Sequence, residues 1–226
     1  MKFHLLTIFP NIFDSYLNES ILRRASDKKI IKFKIHNLRD YTNDKHKTVD
    51  DAPYGGGAGM LMKIEPLHKA LCAIKKLDKK IKPAKRKIIL LSAAGKSWNQ
   101  TLAKKYSKLE ELIFICGRYE GVDARLSYFI DEEISVGDYV LTGGELPALT
   151  MIDSITRLLP GVLGNKESIV EESHSENGVT EYPQYTRPEI FSAGSKKYKV
   201  PSILLSGDHK KIKEWQKKNQ KITNSN

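Results

Sequence analysis

With 226 residues, 40% of them hydrophobic, the chain can build one ordinary domain with a real core and a small second one. Its formal charge of +11 and pI near 9.4 point to a polyanionic partner, most simply nucleic acid; only 8 of the 38 basic residues are arginine, and a lysine bias also arises from genome composition, so a merely solvated surface stays open. Cys72 and Cys116 are the only cysteines, which excludes a disulfide framework or zinc spacing and fits a reducing cytoplasm; no apolar run is long enough to span a membrane.

Phe3 to Phe9 reads as a strand closed by Pro10, too short and too soon broken for a signal peptide. Residues 11–29 place Ile12, Tyr16, Ile21, Leu22 and Ala25 at roughly helical spacing, and Ile30 to Ile35 alternates apolar and basic residues as a half-exposed strand would. Residues 36–62 show no periodicity and form a long polar loop, a length that in compact domains usually marks function or disorder. A helix is expected over 65–80, then a lysine-rich connection over 78–87. Three short apolar runs follow, Lys87–Leu91, Leu112–Cys116 and Glu133–Val136, with helical patterns between them. That βαβ spacing predicts an α/β fold with a parallel sheet. Residues 145–159 give the most apolar helix, with Ala148, Ile152, Ile155 and Leu159 on one face and Pro147 in its first turn. A helix so apolar needs cover on most sides, which suits a subunit interface. Residues 161–186 are rich in Gly, Ser, Glu and Asn and read as a linker. Pro201–Leu205 and a helix over Lys210–Lys218 suggest a small, basic, mostly helical C-terminal domain.

Three glycine-dense turns carry the chemistry: Tyr54–Met60, Cys116–Gly121 and Ser135–Pro147. The second and third each follow a strand, and glycine there lets bare backbone approach a ligand, as in the cofactor crevice of an α/β sheet. The first fails the dinucleotide fingerprint, because no strand precedes it and Met60 stands where the third glycine would fall; Asp50, Asp51 and Tyr54 beside it favour a loop facing a substrate. Gly95-Lys96-Ser97 resembles the tail of a phosphate-binding loop, but Leu90 replaces its first glycine and Ser92-Ala93-Ala94 alone is too short to cradle a triphosphate; Lys96 then merely begins a helix. Glu120 and Asp138 either cap a helix or face the ligand. Arg157 lies near the C-terminal end of an apolar helix, where a cation suits the dipole and a catalytic role competes. By composition Glu171, Glu172 and His174 are a solvated polar run, and the histidines show no ligand spacing.

Taken together, Phe9-Pro10, Asp44–Asp51 running into Pro53–Met60, Cys116–Gly121, Ser135–Pro147, Arg157–Gly164 and Tyr185–Pro188 resemble the bacterial tRNA (guanine-N1-)-methyltransferases, a family of the SPOUT methyltransferases. The similarity runs in order along nearly the whole chain. It implies a trefoil knot in the parallel sheet, against the general rule for chain topology. It also implies helices on both sheet faces, S-adenosylmethionine as methyl donor, and a homodimer with active sites at the subunit interface. The implied substrate is tRNA with a guanosine immediately 3′ of the anticodon. Residues 1–160 would be the catalytic domain, 161–186 a flexible linker carrying the base, and 187–226 a tRNA-binding domain, trimmed because the chain ends early for the family.

By the same resemblance, Leu90, Leu91, Ser92, Ala93 and Ala94, Gly117, Tyr119, Glu120 and Gly121, Ser135, Val136, Gly137, Asp138, Tyr139, Val140 and Leu141, and Gly143, Gly144 and Pro147 wrap the cofactor. Asp50, Tyr54, Gly57, Gly59, Met60, His174 and Arg187 face the substrate. Guanine N1 needs a base to remove its proton and a cation to stabilise charge on O6. Arg157 matches the family's arginine. Glu172 stands where the family usually carries an aspartate, and His174 beside it could share the proton. Glu120 matches a position associated with Mg²⁺. A ribosomal RNA or ribose 2′-O methyltransferase and a catalytically silent RNA-binding module are the alternatives.

Overall fold

The computed structural model describes residues 1–164 and 179–222, and the chain divides into two compact units, Met1–Gly164 and Asn165–Asn226. Unit one is built on five parallel strands: β1 (Lys2–Thr7), β2 (Lys32–Asn37), β5 (Arg86–Ser97), β6 (Glu111–Cys116) and β7 (Glu132–Ser135). Their order across the sheet is β2-β1-β6-β5-β7. Every residue of β6 is buried, so a central parallel strand covered on both faces reads as the unbroken apolar run Leu112–Cys116.

Alternation along β1 sends Phe3 and Leu5 into one core and Leu6 and Ile8 into another. The first core lies against helices α1 (Asp14–Leu17), α2 (Ser20–Asp27), α4 (Gln100–Tyr106) and α5 (Glu145–Thr156), with Phe3 stacked on Phe33 and Phe114 at ring separations of 5.7 and 6.4 Å. The second lies against α3 (Ile64–Leu77), whose Leu67, Ala70, Leu71 and Ile74 form one buried stripe. Helices therefore cover both faces of the parallel sheet that the βαβ spacing predicts.

The segment read as one helix over 11–29 is a 3₁₀ turn at Pro10–Phe13 followed by two short helices, broken where Ser20 takes a φ of +48°. The long polar loop holds a 3₁₀ turn at Leu38–Tyr41 and a two-residue pairing of β3 (Asp50–Asp51) with β4 (Leu61–Met62). Ser92–Ser97 does not turn into a helix. It continues β5, and Lys96 pairs with Ile134 rather than opening a helix. Pairing of Lys96 and Ser97 with β7 resumes the strand beyond the loop-like Ser-Ala-Ala-Gly.

Unit two carries a hairpin the sequence reading did not include, β9 (Ile190–Ala193) with β10 (Lys196–Lys199) around Gly194 at φ +60°. A 3₁₀ turn at Ser202–Leu205 and helix α6 (His209–Lys218) follow, and β8 (Val179–Thr180) pairs with β11 (Lys221–Ile222). Asp208 caps α6 by accepting from the Lys211 amide.

Cys116 is fully buried at the end of β6, and burial pushes its thiol well above the ordinary range; Cys72 is partly exposed on α3. An aryl disulfide reagent at neutral pH should therefore modify one thiol in the folded protein and two in denaturant. Two rapid equivalents in the native state would contradict the burial of Cys116.

Candidate functional site

Strands β6, β5 and β7 lie side by side, and the segments leaving their C-terminal ends enclose a cleft of about 670 Å³. That is the size class of pre-formed small-molecule sites, at the carboxyl edge where open α/β sheets bind ligands. Three backbone features shape it. First, β5 contacts β7 twice through one residue, since both Leu91 and Lys96 are in register with Ile134. The chain between them bulges out of the ladder, and Ser92, Ala93 and Ala94 become a wall of the cleft. Gly95 closes the bulge where any Cβ would collide with the backbone of Glu133 and Ile134.

Second, the turn after β6 runs Gly117-Arg118-Tyr119-Glu120-Gly121 along the cleft, with Tyr119 in the left-handed region at φ +61°. A tyrosine there is strained, and such strain concentrates at ligand sites. Burial, then the neighbouring Asp50 carboxylate, raise the Tyr119 phenol above its usual range. The turn is tied to the loop before β4: the Glu120 amide donates to the Met60 carbonyl at 3.1 Å, the Met62 amide to the Gly121 carbonyl at 2.9 Å. The Glu120 side chain lies where a Cβ on Gly59 would stand.

Third, residues 136–144 leave β7 and return to the start of α5 across the mouth of β6. The Gly144 amide donates to the Gly117 carbonyl at 3.0 Å. A Cβ on Gly144 would stand 2.7 Å from the Cys116 Cα and 3.0 Å from the Gly117 nitrogen. Only glycine permits that backbone-on-backbone approach.

An ion pair locks the crossing. Glu145, the first residue of α5, is 1% exposed, yet it is a carboxylate. Its Oε1 accepts from the Thr7 hydroxyl at 2.7 Å, and its Oε2 accepts from Arg118 Nε and Nη2 at 3.0 and 2.9 Å. Arg118 Nη1 donates in turn to the Thr142 carbonyl at 3.1 Å, and the guanidinium lies over the Phe9 ring at 4.8 Å. The helix N-terminus favours the same negative charge.

Of the cofactor residues expected from sequence, all but Asp138 line this cleft. Asp138 is exposed and off the lining, on the outer side of the turn between Gly137 and Tyr139. Val140 is 89% exposed and Tyr139 57%, so this lip presents apolar surface to solvent. Asp50 is brought to the cleft edge through Tyr119. Tyr54, fully exposed, and Gly57 and Gly59 lie on the adjoining loop, whose end at Met60 is bonded to Glu120. Arg187 belongs to unit two, where it is exposed. Glu172 and His174 lie outside the described residues. Arg157 caps the C-terminus of α5, as the dipole reading expects, at the end away from the cleft-lining Pro147. Among the described residues, Glu120 belongs to no three-residue group of metal-ligating side chains.

Sequence reasoning missed Glu145 and the role of Arg118. Rarity of arginine marks Arg118, but a partner 27 residues away is invisible in one sequence. It also missed Val122, Ala124, Leu126, Ser127 and Ile130, which line the cleft from the stretch after Gly121.

A parallel α/β sheet with a glycine-lined, half-apolar cleft at the carboxyl ends of three adjacent strands defines a small-molecule-binding α/β protein of the crevice type. Over residues 1–226 the chain matches the family described as tRNA (Guanine-1)-methyltransferase TrmD. It is 50% identical over 218 residues to the tRNA (guanine-N(1)-)-methyltransferase of Dictyoglomus turgidum, covering 96% of this chain and 84% of that one. The protein of the same name from Clostridioides difficile is 51% identical, with 96% and 91% covered. Among solved structures, the tRNA (m1G37) methyltransferase from Aquifex aeolicus superimposes with a TM-score of 0.77 at 38% identity, over 95% of this chain and 87% of that one. The chain belongs to the tRNA (guanine-1)-methyltransferase family.

Replacing Gly144 by alanine should cost about 1–3 kcal/mol of stability by overpacking against fixed backbone, and should weaken ligand binding in the cleft at least tenfold. Gly164→Ala, where an added methyl meets nothing within 4 Å, should leave both unchanged. Equal melting curves and affinities for the two variants would mean that the crossing relaxes freely.

Proposed function

We propose that this chain transfers a methyl group from S-adenosylmethionine to N1 of the guanosine immediately 3′ of the anticodon in tRNA. The carrying observation is the cleft itself, at the place and with nearly all the residues that the family resemblance assigns to the cofactor. The fit is chemical as well as positional. Walls of Leu90, Leu91, Ile134 and Leu141 suit a flat apolar base, while the turns at Gly117–Gly121 and Ser135–Gly144 offer backbone polar groups at close range. Those residues would hold the donor, which when bound supplies an electrophilic methyl group. The implied trefoil is supported by the close passage of Gly144 over Cys116 and Gly117.

The remaining work falls to side chains. Guanine N1 carries a proton and is a poor nucleophile until a base removes it. Glu172, in the segment 161–186, is the proposed base, with His174 beside it as the competing proton acceptor. As N1 loses its proton, negative charge grows on O6, and the Arg157 guanidinium is the proposed stabiliser. Pro147 lines the cleft at one end of α5 and Arg157 caps the other, about 15 Å along the axis at 1.5 Å per residue. Arg157 therefore serves the cleft of a second copy more readily than its own, which supports a homodimeric active site. The exposed Phe9, Tyr16 and Leu146, beside or on α5, offer apolar surface for such a partner. The basic unit two, with Lys196, Lys197 and Lys199 on an exposed hairpin beside Phe191 and Tyr198, suits an RNA backbone with unpaired bases.

Incubating unmodified tRNA with the protein and isotopically labelled donor should yield labelled 1-methylguanosine on nucleoside mass spectrometry. A 2′-O-methylated nucleoside, or none, would remove the reading. Arg157→Ala should lower the single-turnover rate by about two to three orders of magnitude, as loss of a charge-stabilising group does, with donor affinity near wild type. A matching loss of donor affinity would make Arg157 structural. Glu172→Gln should abolish turnover; an unchanged single-turnover rate would pass the base role to His174.

A further inference from the structure

We infer that His4, Asp78 and Glu111 form a binding site for a divalent first-row metal ion of the zinc class, at the end of the sheet opposite the cleft. His4 stands on β1, Glu111 opens β6, and Asp78 follows α3. The cluster lies at the N-terminal ends of the strands, whereas the cleft is built from their C-terminal ends.

Three observations carry this. The donor atoms lie close together: His4 Nε2 is 3.2 Å from Glu111 Oε1 and 3.6 Å from Asp78 Oδ2, and all three lie within 4.8 Å of one another. Ligands around a four-coordinate ion with bonds of about 2.0 Å stand about 3.3 Å apart. His4 and Glu111 are also buried, at 2% and 0% exposure, which separates them from the solvated acidic clusters common on surfaces. Most telling, Glu111 Oε1 accepts no hydrogen bond despite its closeness to the imidazole. A buried carboxylate oxygen set 3.2 Å from a ring nitrogen without a well-formed hydrogen bond leaves a place for a cation between them.

The surroundings suit such a site. His36 Nε2 lies 2.9 Å from His4 Nδ1, and the Tyr41 hydroxyl 3.2 Å from His36 Nδ1, a relay that fixes the His4 ring and leaves Nε2 as the donor. Lys2 and Arg86 engage the outer oxygens, Asp78 Oδ1 and Glu111 Oε2, so the inner pair stays turned to His4. A cavity of about 220 Å³, lined by Lys2, His4, Lys32, Lys34, Leu77 and Asp78, gives entry and room for a water as fourth ligand. One imidazole with two carboxylates suits zinc or cobalt better than magnesium, which prefers an all-oxygen octahedron. The lysines oppose a metal by simple repulsion, and that sets the sign of one test.

The full chain, stripped with chelator and carrying Cys72→Ser, is titrated with Zn²⁺ alone by calorimetry. The serine removes a competing thiol, because Cys72 Sγ lies 3.5 Å from His68 Nε2. One equivalent should bind, and Co²⁺ should give the intense visible bands of a four-coordinate ion. His4→Gln and Asp78→Asn should each weaken binding at least tenfold, in metal-free proteins whose circular dichroism shows the fold retained. Lys2→Met should tighten binding severalfold, an effect that mere loss of structure cannot produce. No stoichiometric uptake, or uptake indifferent to these substitutions, would overturn the site and leave a proton-bridged ion network in its place.

Discussion

A single buried carboxylate holds the architecture of the cleft. Glu145 is taken out of water at the first turn of α5, and burying an ionised group is tolerable only when its lone pairs are matched. Thr7, at the end of β1, and Arg118, after β6, supply the match. Three distant segments are thereby fixed to one another, and through Arg118 so is the Thr142 carbonyl in the crossing segment. Remove Arg118 and a charge stays buried with no opposite charge beside it, which costs far more than losing the Thr7 hydrogen bond.

Around that anchor, most of the cleft's shape comes from main chain. The β5 bulge, the strained Tyr119 turn and the Gly144 contact set walls whose positions do not depend on rotamers. Backbone carbonyls and amides are fixed in orientation before any ligand arrives, so little entropy is left to lose on binding. Charged side chains are few among its walls, Arg118, Glu120, Asp123 and Glu133 being the exceptions.

Much of this was legible in the sequence, and the reasons are physical. The run Leu112–Cys116 can only be a covered strand, and the spacing of apolar runs can only be parallel. Glycines after strands mark close backbone approach, which the cleft uses at Gly117, Gly143 and Gly144. What stayed hidden depends on distance along the chain. Ser92–Ser97 looks like a turn because its residues are small; it bulges within β5 because β7 pairs again at Lys96 and Ser97. Glu145 looks like an ordinary acidic residue at a helix start, since Arg118 and Thr7 meet it only in three dimensions. The break at Ser20 and the hairpin around Gly194 turn on single positive φ angles, which apolar periodicity does not encode.

The sheet order divides labour unevenly across the molecule. Everything lining the cleft from strand ends comes from β6, β5 and β7, while β2 and most of β1 lie on the other side of β6. A change confined to the solvent-facing side chains of β2, such as Lys32 and Lys34, therefore leaves the strand ends that wall the cleft where they are.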